Sequence, residues 1–378
     1  MVPFGGFHMP VQYGSHSIAA SHAFTRERAS LFDVGHMVQR HLSGPGAADF
    51  LRAVTPSAAD ELGLHRSTLS ALLWRDTGGI VDDTVVSRLG DELFYLVTNA
   101  ACRDKDDRYL ADELAAWAGR PVAHEELAGW GLLALQGPLA AELLGEVLAD
   151  GEAADLPGVL FGSSLFARVR LAGGELSSPL LVSRGGYTGE DGFEISTPPD
   201  EAAAVAEALL ARGGPERLRL AGLGARDSLR LEAGMCLYGH DLDDTTTPAE
   251  AGLGWIVPKS RRGDGAGFHG AAAILPQLVP AAKGGKGVAR RRVGLVVSGA
   301  PAREGAEIVS GEGEVVGTVT SGCPSPTLGK NIAMGYVKDG LHKAGTELAV
   351  VVRGKRRGAV VTKMPFVPTK YWKGPASA

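Results

Sequence analysis

Residues 77–86 read Thr-Gly-Gly-Ile-Val-Asp-Asp-Thr-Val-Val, a double glycine followed by a β-branched run that carries two adjacent aspartates. The glycines predict a turn and the run after them predicts a strand. Successive side chains of a strand face opposite sides, so one of Asp82 and Asp83 points inward. A buried carboxylate needs a partner, a ligand or a raised pKa. The alternative is a turn with both carboxylates in water, and this segment alone favours neither interpretation.

Composition limits the classes of protein that this chain can belong to. It has 378 residues, 44% of them hydrophobic and 21% charged, with a net charge of −5. This length predicts two to three domains. The 53 glycines predict a turn-rich mixed fold and argue against a helical bundle. The mildly acidic balance gives no electrostatic reason to bind nucleic acid or an anionic membrane, and no apolar stretch is long enough to span one.

The cysteines indicate a reducing compartment. Cys102, Cys236 and Cys323 are scattered, odd in number and without Cys-x-x-Cys spacing. The histidines show no metal-type spacing either, so we expect no metal site.

Strand-like and helix-like segments alternate along the chain. Residues 93–98 form an apolar, β-rich run, whereas residues 106–117 are typical of a helix. Between 276 and 292 the hydrophobic period is lost, which predicts a linker. The three arginines at its end are either a solvated surface or a docking surface for an acidic partner. Period-two runs with glycine turns from residue 293 predict a small all-β domain, a barrel or a sandwich.

Further segments combine glycines with ionisable or aromatic side chains. They are residues 185–195, 225–234 and 364–371. The first is a glycine-punctuated turn before a strand, and it matches neither a phosphate loop nor a dinucleotide fingerprint. The sequence therefore argues against nucleotide hydrolysis.

These segments, with residues 78–83, 31–37 and 320–326, resemble the aminomethyltransferase, or T protein, of the glycine cleavage system. The resemblance covers nearly the whole chain in order. It implies an α+β fold of three domains in a cloverleaf-like arrangement around a central tetrahydrofolate site, the last domain being the small β barrel or sandwich. The implied domains are 1–43 plus 128–275, a discontinuous folate-binding domain; 44–127, which carries the aspartate pair; the linker 276–292; and 293–378.

The resemblance also implies a reaction. A methylene carbon passes from the aminomethyl group on the dihydrolipoyl arm of the H protein to tetrahydrofolate as co-substrate, which gives methylene-tetrahydrofolate and ammonia. Asp83 is the implied catalytic carboxylate. The implied folate-binding residues are Glu194, Arg226, Tyr371, Met37 and Asn99. The implied partners are the H protein and the other glycine cleavage components, without nucleic acid or membrane.

Residue chemistry agrees with these roles. A pterin presents an amino group beside a ring N–H, and the carboxylate of Glu194 is a planar double acceptor that fits both. The fork of Arg226 suits a flat heterocycle in a way that lysine cannot reproduce. A carboxylate such as Asp83 can stabilise the positive charge on the attacking folate nitrogen or remove its proton. Without the resemblance, Arg226 is better interpreted as an ion-pair partner of Asp227 or Glu232 on its own helix.

Other activities are compatible with a folate site. One is a folate-dependent demethylase of a small methylated compound, and another is a non-catalytic folate-binding maintenance protein, which the presence of Asp83 argues against. Residues 338–346 and 367–371 resemble organellar members, which predicts the mitochondrial matrix, with a bacterial cytoplasm as the alternative.

Overall fold

The computed structural model describes residues 1–263 and 265–375, which form a mixture of helices and strands. The helices among them are α1 (Ile18–Glu27), α2 (Ala47–Val54), α3 (Arg103–Ala115), α4 (Ala140–Gly145), α5 (Ala202–Arg217), α6 (Leu223–Glu232) and α7 (Ala271–Leu278). Within the described ranges, no helix is both long enough and apolar enough to cross a bilayer.

The strands fall into three multi-stranded sheets and one hairpin. In the first part of the chain they are β1 (Val2–Phe4), β2 (Phe7–Met9), β3 (Ala29–Asp33), β4 (Val38–Ser43), β5 (Ser67–Leu73), β6 (Ile80–Gly90), β7 (Leu93–Thr98), β8 (Ala123–Glu126) and β9 (Gly131–Gln136). They continue with β10 (Ser163–Ala167), β11 (Leu180–Arg184), β12 (Gly192–Thr197), β13 (Leu218–Leu220), β14 (Arg290–Val297), β15 (Glu307–Val309), β16 (Val315–Ser325), β17 (Lys330–Lys338), β18 (Glu347–Val352) and β19 (Lys355–Thr362).

The six-stranded sheet has the order β10-β11-β12-β9-β3-β13, with only β3 and β13 parallel. Residues 132–135 of strand β9 are all apolar because the strand is buried on both faces. Leu133 and Leu135 pack with α4 and α5, whereas Leu132 and Ala134 pack with α6 and β7. One face of this sheet therefore looks toward the second sheet.

The five-stranded sheet has the antiparallel order β5-β6-β7-β4-β8. One face packs on α2 and α3, and the other contributes Tyr95 and Val97 to the apolar cluster shared with β9 and α6. Because β4 pairs with β7 here, the predicted domain boundary at residue 43 lies too late. The chain changes sheet between Asp33 and Val38, directly after β3.

The segment after α6 also lies elsewhere than predicted. Leu242, Val257 and Ile274 pack against Ala71 and Ile80 of the five-stranded sheet. The predicted first domain, 128–275, is therefore too long, because its last part covers the other sheet. At the opening of β6 the backbone turns through Gly78, whose φ is +70°. At Gly79 an added Cβ would lie 1.8 Å from a backbone carbonyl oxygen, so only glycine fits.

Residues from 290 onward form a closed six-stranded barrel, with the order β14-β17-β16-β15-β18-β19. Alternate apolar side chains fill its interior, as the period-two runs predicted. The predicted linker 276–292 is too long, because α7 contains residue 276 and β14 begins at Arg290.

The arginine cluster at the start of β14 ties the barrel to neighbouring segments. The Arg290 Nε lies 3.3 Å from a Glu250 carboxylate oxygen, and the Arg291 Nε lies 2.5 Å from an Asp339 carboxylate oxygen. The Arg292 guanidinium donates to the backbone carbonyl oxygens of Ala251 and Gly234. These arginines hold structure together, which weakens the docking alternative raised for them.

Candidate functional site

The aspartate pair lies in the strand that its sequence predicted, at the start of β6. Asp82 pairs with Leu72 and is fully buried on the face toward α3, whereas Asp83 pairs with Ala71 and is half-buried on the opposite face. That opposite face looks toward the six-stranded sheet. The solvated-turn alternative is therefore wrong for Asp82.

Asn99, directly after β7, joins the two carboxylates. Its Nδ2 donates to Oδ1 of Asp82 at 2.9 Å and to Oδ1 of Asp83 at 2.8 Å. Its backbone N–H donates to Oδ2 of Asp82 at 2.7 Å. The pair and Asn99, both implicated by the sequence, are thus brought together.

Burial sets the protonation of Asp83. It raises the pKa of Asp83 to about 6. The hydrogen bond from Asn99 lowers this pKa, whereas the negative charge of Asp241 raises it. The Asp83 carboxylate therefore ionises just below neutral pH. A group with this pKa is suited to accept a proton at physiological pH.

Glu194 and Arg226 face each other across the space between β12 and α6. Glu194 is opposite Ala134 of β9 and so shares the face that α6 covers. Burial raises the pKa of Glu194, and the positive charge of Arg226 opposes that rise. Burial likewise lowers the pKa of Arg226, opposed by the charges of Glu194 and Tyr187.

The local ion pairs considered for Arg226 are made by other residues. Asp227 binds Arg230, with 2.8 Å between Oδ1 and Nε, and Glu232 binds Arg26 at 2.8 Å. The interpretation of Arg226 as a helix ion-pair residue is therefore wrong. The guanidinium of Arg226 is therefore available to Glu194 and to a ligand in the space between β12 and α6.

Tyr187 is a site residue that sequence reasoning missed. The Arg226 Cζ lies 4.7 Å from the centre of its ring, and its hydroxyl donates to the carbonyl oxygen of Cys236. Burial raises its pKa, and the charges of Arg230, Asp83 and Arg226 act on it as well. Tyr187 thus lies between the aspartate pair and the Glu194–Arg226 pair. An aromatic inside the Gly-Gly-Tyr-Thr-Gly turn was the available signal.

Met37 and Tyr371 occupy different surroundings. Met37 is half-buried against the apolar cluster shared by β7, β9 and α6, beside the face that carries Glu194. Tyr371 stacks on Phe161, with ring centres 4.1 Å apart, and burial raises its pKa to about 12. The neighbouring Lys370 donates its backbone N–H to the carbonyl oxygen of Gly189 at 2.8 Å, and its Nζ lies 3.3 Å from a Glu190 carboxylate oxygen, so this segment is tied to the turn that follows Tyr187.

Comparison with known proteins agrees with this arrangement of sheets and barrel. Residues 1–261 match the family model of the GCVT N-terminal domain, and residues 290–368 match that of the glycine cleavage T-protein C-terminal barrel domain. The chain belongs to the glycine cleavage T-protein family. The α+β fold with a terminal barrel that the sequence predicted is confirmed, and the barrel is closed.

Similar proteins include T-protein relatives from eukaryotes and bacteria. The chain is 48% identical over 373 residues to a probable mitochondrial aminomethyltransferase of Schizosaccharomyces pombe, covering 99% of this chain and 90% of the relative. It is 47% identical over 375 residues to the mitochondrial aminomethyltransferase of Gallus gallus, covering 98% and 90%. A crystal structure of the glycine cleavage aminomethyltransferase T from Bartonella henselae superposes with a TM-score of 0.87 at 38% identity, covering 98% of this chain and 95% of that one.

Within residues 1–263 and 265–375, no group of three or more His, Cys, Asp or Glu side chains is arranged to hold a metal ion. The two relatives quoted are named mitochondrial, which agrees with the mitochondrial matrix predicted from the sequence.

Proposed function

We propose that this protein is the tetrahydrofolate-dependent aminomethyltransferase of glycine cleavage. It transfers the methylene carbon of an aminomethyl group, carried on the dihydrolipoyl arm of the H protein, to tetrahydrofolate and releases ammonia. The observation that carries the proposal is Asp83, a half-buried carboxylate with its pKa raised to about 6, on a sheet face that looks toward Glu194 and Arg226. Family membership and the full-length aminomethyltransferase relatives support the same reaction.

Glu194 and Arg226 are the proposed contacts of the pterin ring. The Glu194 carboxylate accepts two parallel N–H groups, which the pterin amino group and adjacent ring N–H supply. Arg226 supports the flat ring, and its positive charge opposes the rise in the pKa of Glu194 that burial causes, which favours the ionised, accepting form of this half-buried carboxylate. Met37, Asn99 and Tyr371 remain proposed folate neighbours.

Asp83 is the proposed group at the reacting atoms. The methylene carbon forms two bonds to folate nitrogens. One replaces its bond to the amine, which leaves as ammonia, and the other replaces its bond to the lipoyl sulfur, which leaves as the dihydrolipoyl thiol; the two folate N–H protons end on these leaving groups. As the carbon–nitrogen bond to the departing ammonia breaks, the methylene carbon becomes electrophilic and a folate nitrogen attacks it. That nitrogen gains positive charge, which the Asp83 carboxylate stabilises before it removes the nitrogen's proton. Asn99 holds the carboxylate in place through its 2.8 Å hydrogen bond.

Ammonia release tests the proposed function directly. Purified protein should release ammonia only when both tetrahydrofolate and an aminomethylated lipoyl H protein are present, because each provides one half of the transfer. A demethylase would instead release formaldehyde equivalents from a small methylated amine without the carrier. A non-catalytic folate-binding protein would bind tetrahydrofolate and release no ammonia with any donor.

The pH dependence of transfer should report Asp83. Since the ionised carboxylate is required and its pKa is about 6, kcat/KM should fall about tenfold per unit as the pH decreases below that value. The rate is measured between pH 5 and 8, with circular dichroism at each pH to confirm that the protein stays folded. An acid limb near pH 4, the ordinary aspartate value, would mean that burial does not perturb Asp83 in solution.

A further inference from the structure

Behind Asp83, on the other face of β6, lies a buried carboxyl group with no role in the proposed reaction. Both oxygens of Asp82 accept hydrogen bonds from Asn99, one from its backbone N–H at 2.7 Å and one from Nδ2 at 2.9 Å. Two contacts at different points of one residue fix both the position and the rotation of the Asn99 side chain. The Nδ2 group is thereby held 2.8 Å from Oδ1 of Asp83.

A second buried carboxyl group lies on this side of the strand. Asp106 on α3 is fully buried, as Asp82 is. Burial raises the pKa of both groups, to about 6 at Asp106.

We propose that Asp82 is a positioning residue for Asp83, acting through Asn99. The proposal rests on the proposed function, since it assigns Asp82 a part in the same transfer. Asp82 does not touch the reacting atoms, because it lies on the far side of the strand. Its effect on Asp83 is the orientation of one donor.

The surroundings of Asp83 allow this effect to be isolated. The ionisable groups that act with Asp83 are Asp82 on its own strand, Tyr187 on the turn before β12, and Cys236 and Asp241 on the segment after α6. The Asn99 hydrogen bond lowers the pKa of Asp83, whereas the charge of Asp241 raises it. Substituting Asp82 changes the hydrogen bond from Asn99 to Asp83 and leaves the side chains of Tyr187, Cys236 and Asp241 in place.

The deciding variant is Asp82→Asn, which keeps the shape but leaves Asn99 one acceptor oxygen in place of two. We expect kcat to fall about tenfold and the KM for tetrahydrofolate to stay within about twofold, since Glu194 is on another sheet and Arg226 is on α6. The acid limb of kcat/KM should move up by about 0.5 to 1 pH unit, because Asp83 loses a hydrogen bond that favours its ionised form. If Asp82 instead acted on Asp83 through its own negative charge, removing that charge would move the limb down.

A double-mutant comparison tests whether Asp82 acts through Asn99. Asn99→Ala alone should raise the acid limb, and adding Asp82→Asn should cost no more than about another twofold. Asp82→Thr, a good strand former with a single acceptor oxygen, should give a partial shift and serves if Asp82→Asn does not fold. The matched control is Asp106→Asn, equally buried but without a hydrogen bond to Asn99, for which we expect an unmoved acid limb.

The outcomes separate this proposal from the proposed function. An unmoved or lowered acid limb in folded Asp82→Asn, or losses that multiply in the double mutant, would overturn the role of Asp82 while transfer by the wild type still stands. A shift in Asp106→Asn equal to that in Asp82→Asn would overturn it too, since it would reflect loss of buried charge in general. No carrier-dependent ammonia release by the wild type would instead remove the proposed function itself.

Discussion

Replacing Asp83 with asparagine should lower kcat for methylene transfer by about a thousandfold and leave the Kd for tetrahydrofolate within about tenfold. Asparagine has the same shape and can still hydrogen-bond Asn99, so the site keeps its geometry. It has neither the negative charge nor the basicity that the attacking nitrogen requires. The loss should therefore appear in the chemical step and not in binding.

Single-turnover ammonia release and calorimetric titration of tetrahydrofolate measure the two quantities separately. Asp82→Asn is the matched control, since it is the neighbouring aspartate of the same strand on the other face. A decrease in kcat in Asp82→Asn as large as that in Asp83→Asn would contradict the assignment of the catalytic role to Asp83. A loss of tetrahydrofolate binding in Asp83→Asn would mean that Asp83 holds the folate and does not act on the reacting atoms.

The sequence predicted local structure well where the pattern is local. The double glycine and the β-branched run of residues 77–86 predicted a turn and a strand, and β6 begins at Ile80. Strand alternation predicted one inward carboxylate, and Asp82 is that residue. The period-two runs after residue 292 predicted the barrel because each strand packs one face inward.

The domain boundaries could not be predicted because they depend on pairing between distant segments. Nothing in residues 38–43 indicates that they pair with residues 93–98, yet that pairing places β4 in the five-stranded sheet. The arginine cluster, residues 290–292, has no hydrophobic period and therefore looks like a loop in the sequence. It forms the start of β14 because it pairs with β17. Partners of this kind are visible only in three dimensions.

The candidate site, like the fold, could be predicted only where residue chemistry or a local pattern was enough. Residue chemistry favoured a carboxylate at Glu194 and an arginine at Arg226, and both line the space between β12 and α6. Tyr187 was missed because its position over the guanidinium depends on the packing of its turn against α6. The hydrogen bonds from Asn99 to Asp82 and Asp83 join two segments of the chain that share no motif, so only the fold reveals them.

Glu194→Ala should weaken tetrahydrofolate binding by about 1.5–3 kcal/mol, or about ten- to a hundredfold in Kd, the usual scale for hydrogen bonds to a charged group. Two pterin donors would lose their acceptor, and Arg226 would remain buried without the carboxylate that compensates its charge. Both effects weaken binding, because the pterin N–H groups lose their water when the ring enters the site. The Kd is measured by titration calorimetry, with the thermal midpoint recorded to confirm folding.

Two further variants identify the cause of the expected loss. Glu194→Gln keeps the volume but offers one acceptor and one donor, so it should satisfy one pterin N–H, oppose the other and lie between wild type and Glu194→Ala. Glu125→Ala removes an exposed carboxylate on the edge strand β8 and should leave the Kd unchanged. Because Asp83, the proposed catalytic group, lies on the other sheet, kcat at saturating tetrahydrofolate should change less than the Kd in both Glu194 variants. An unchanged Kd in folded Glu194→Ala would remove Glu194 from the folate site and leave Arg226 without its proposed role, since the two groups face the same space.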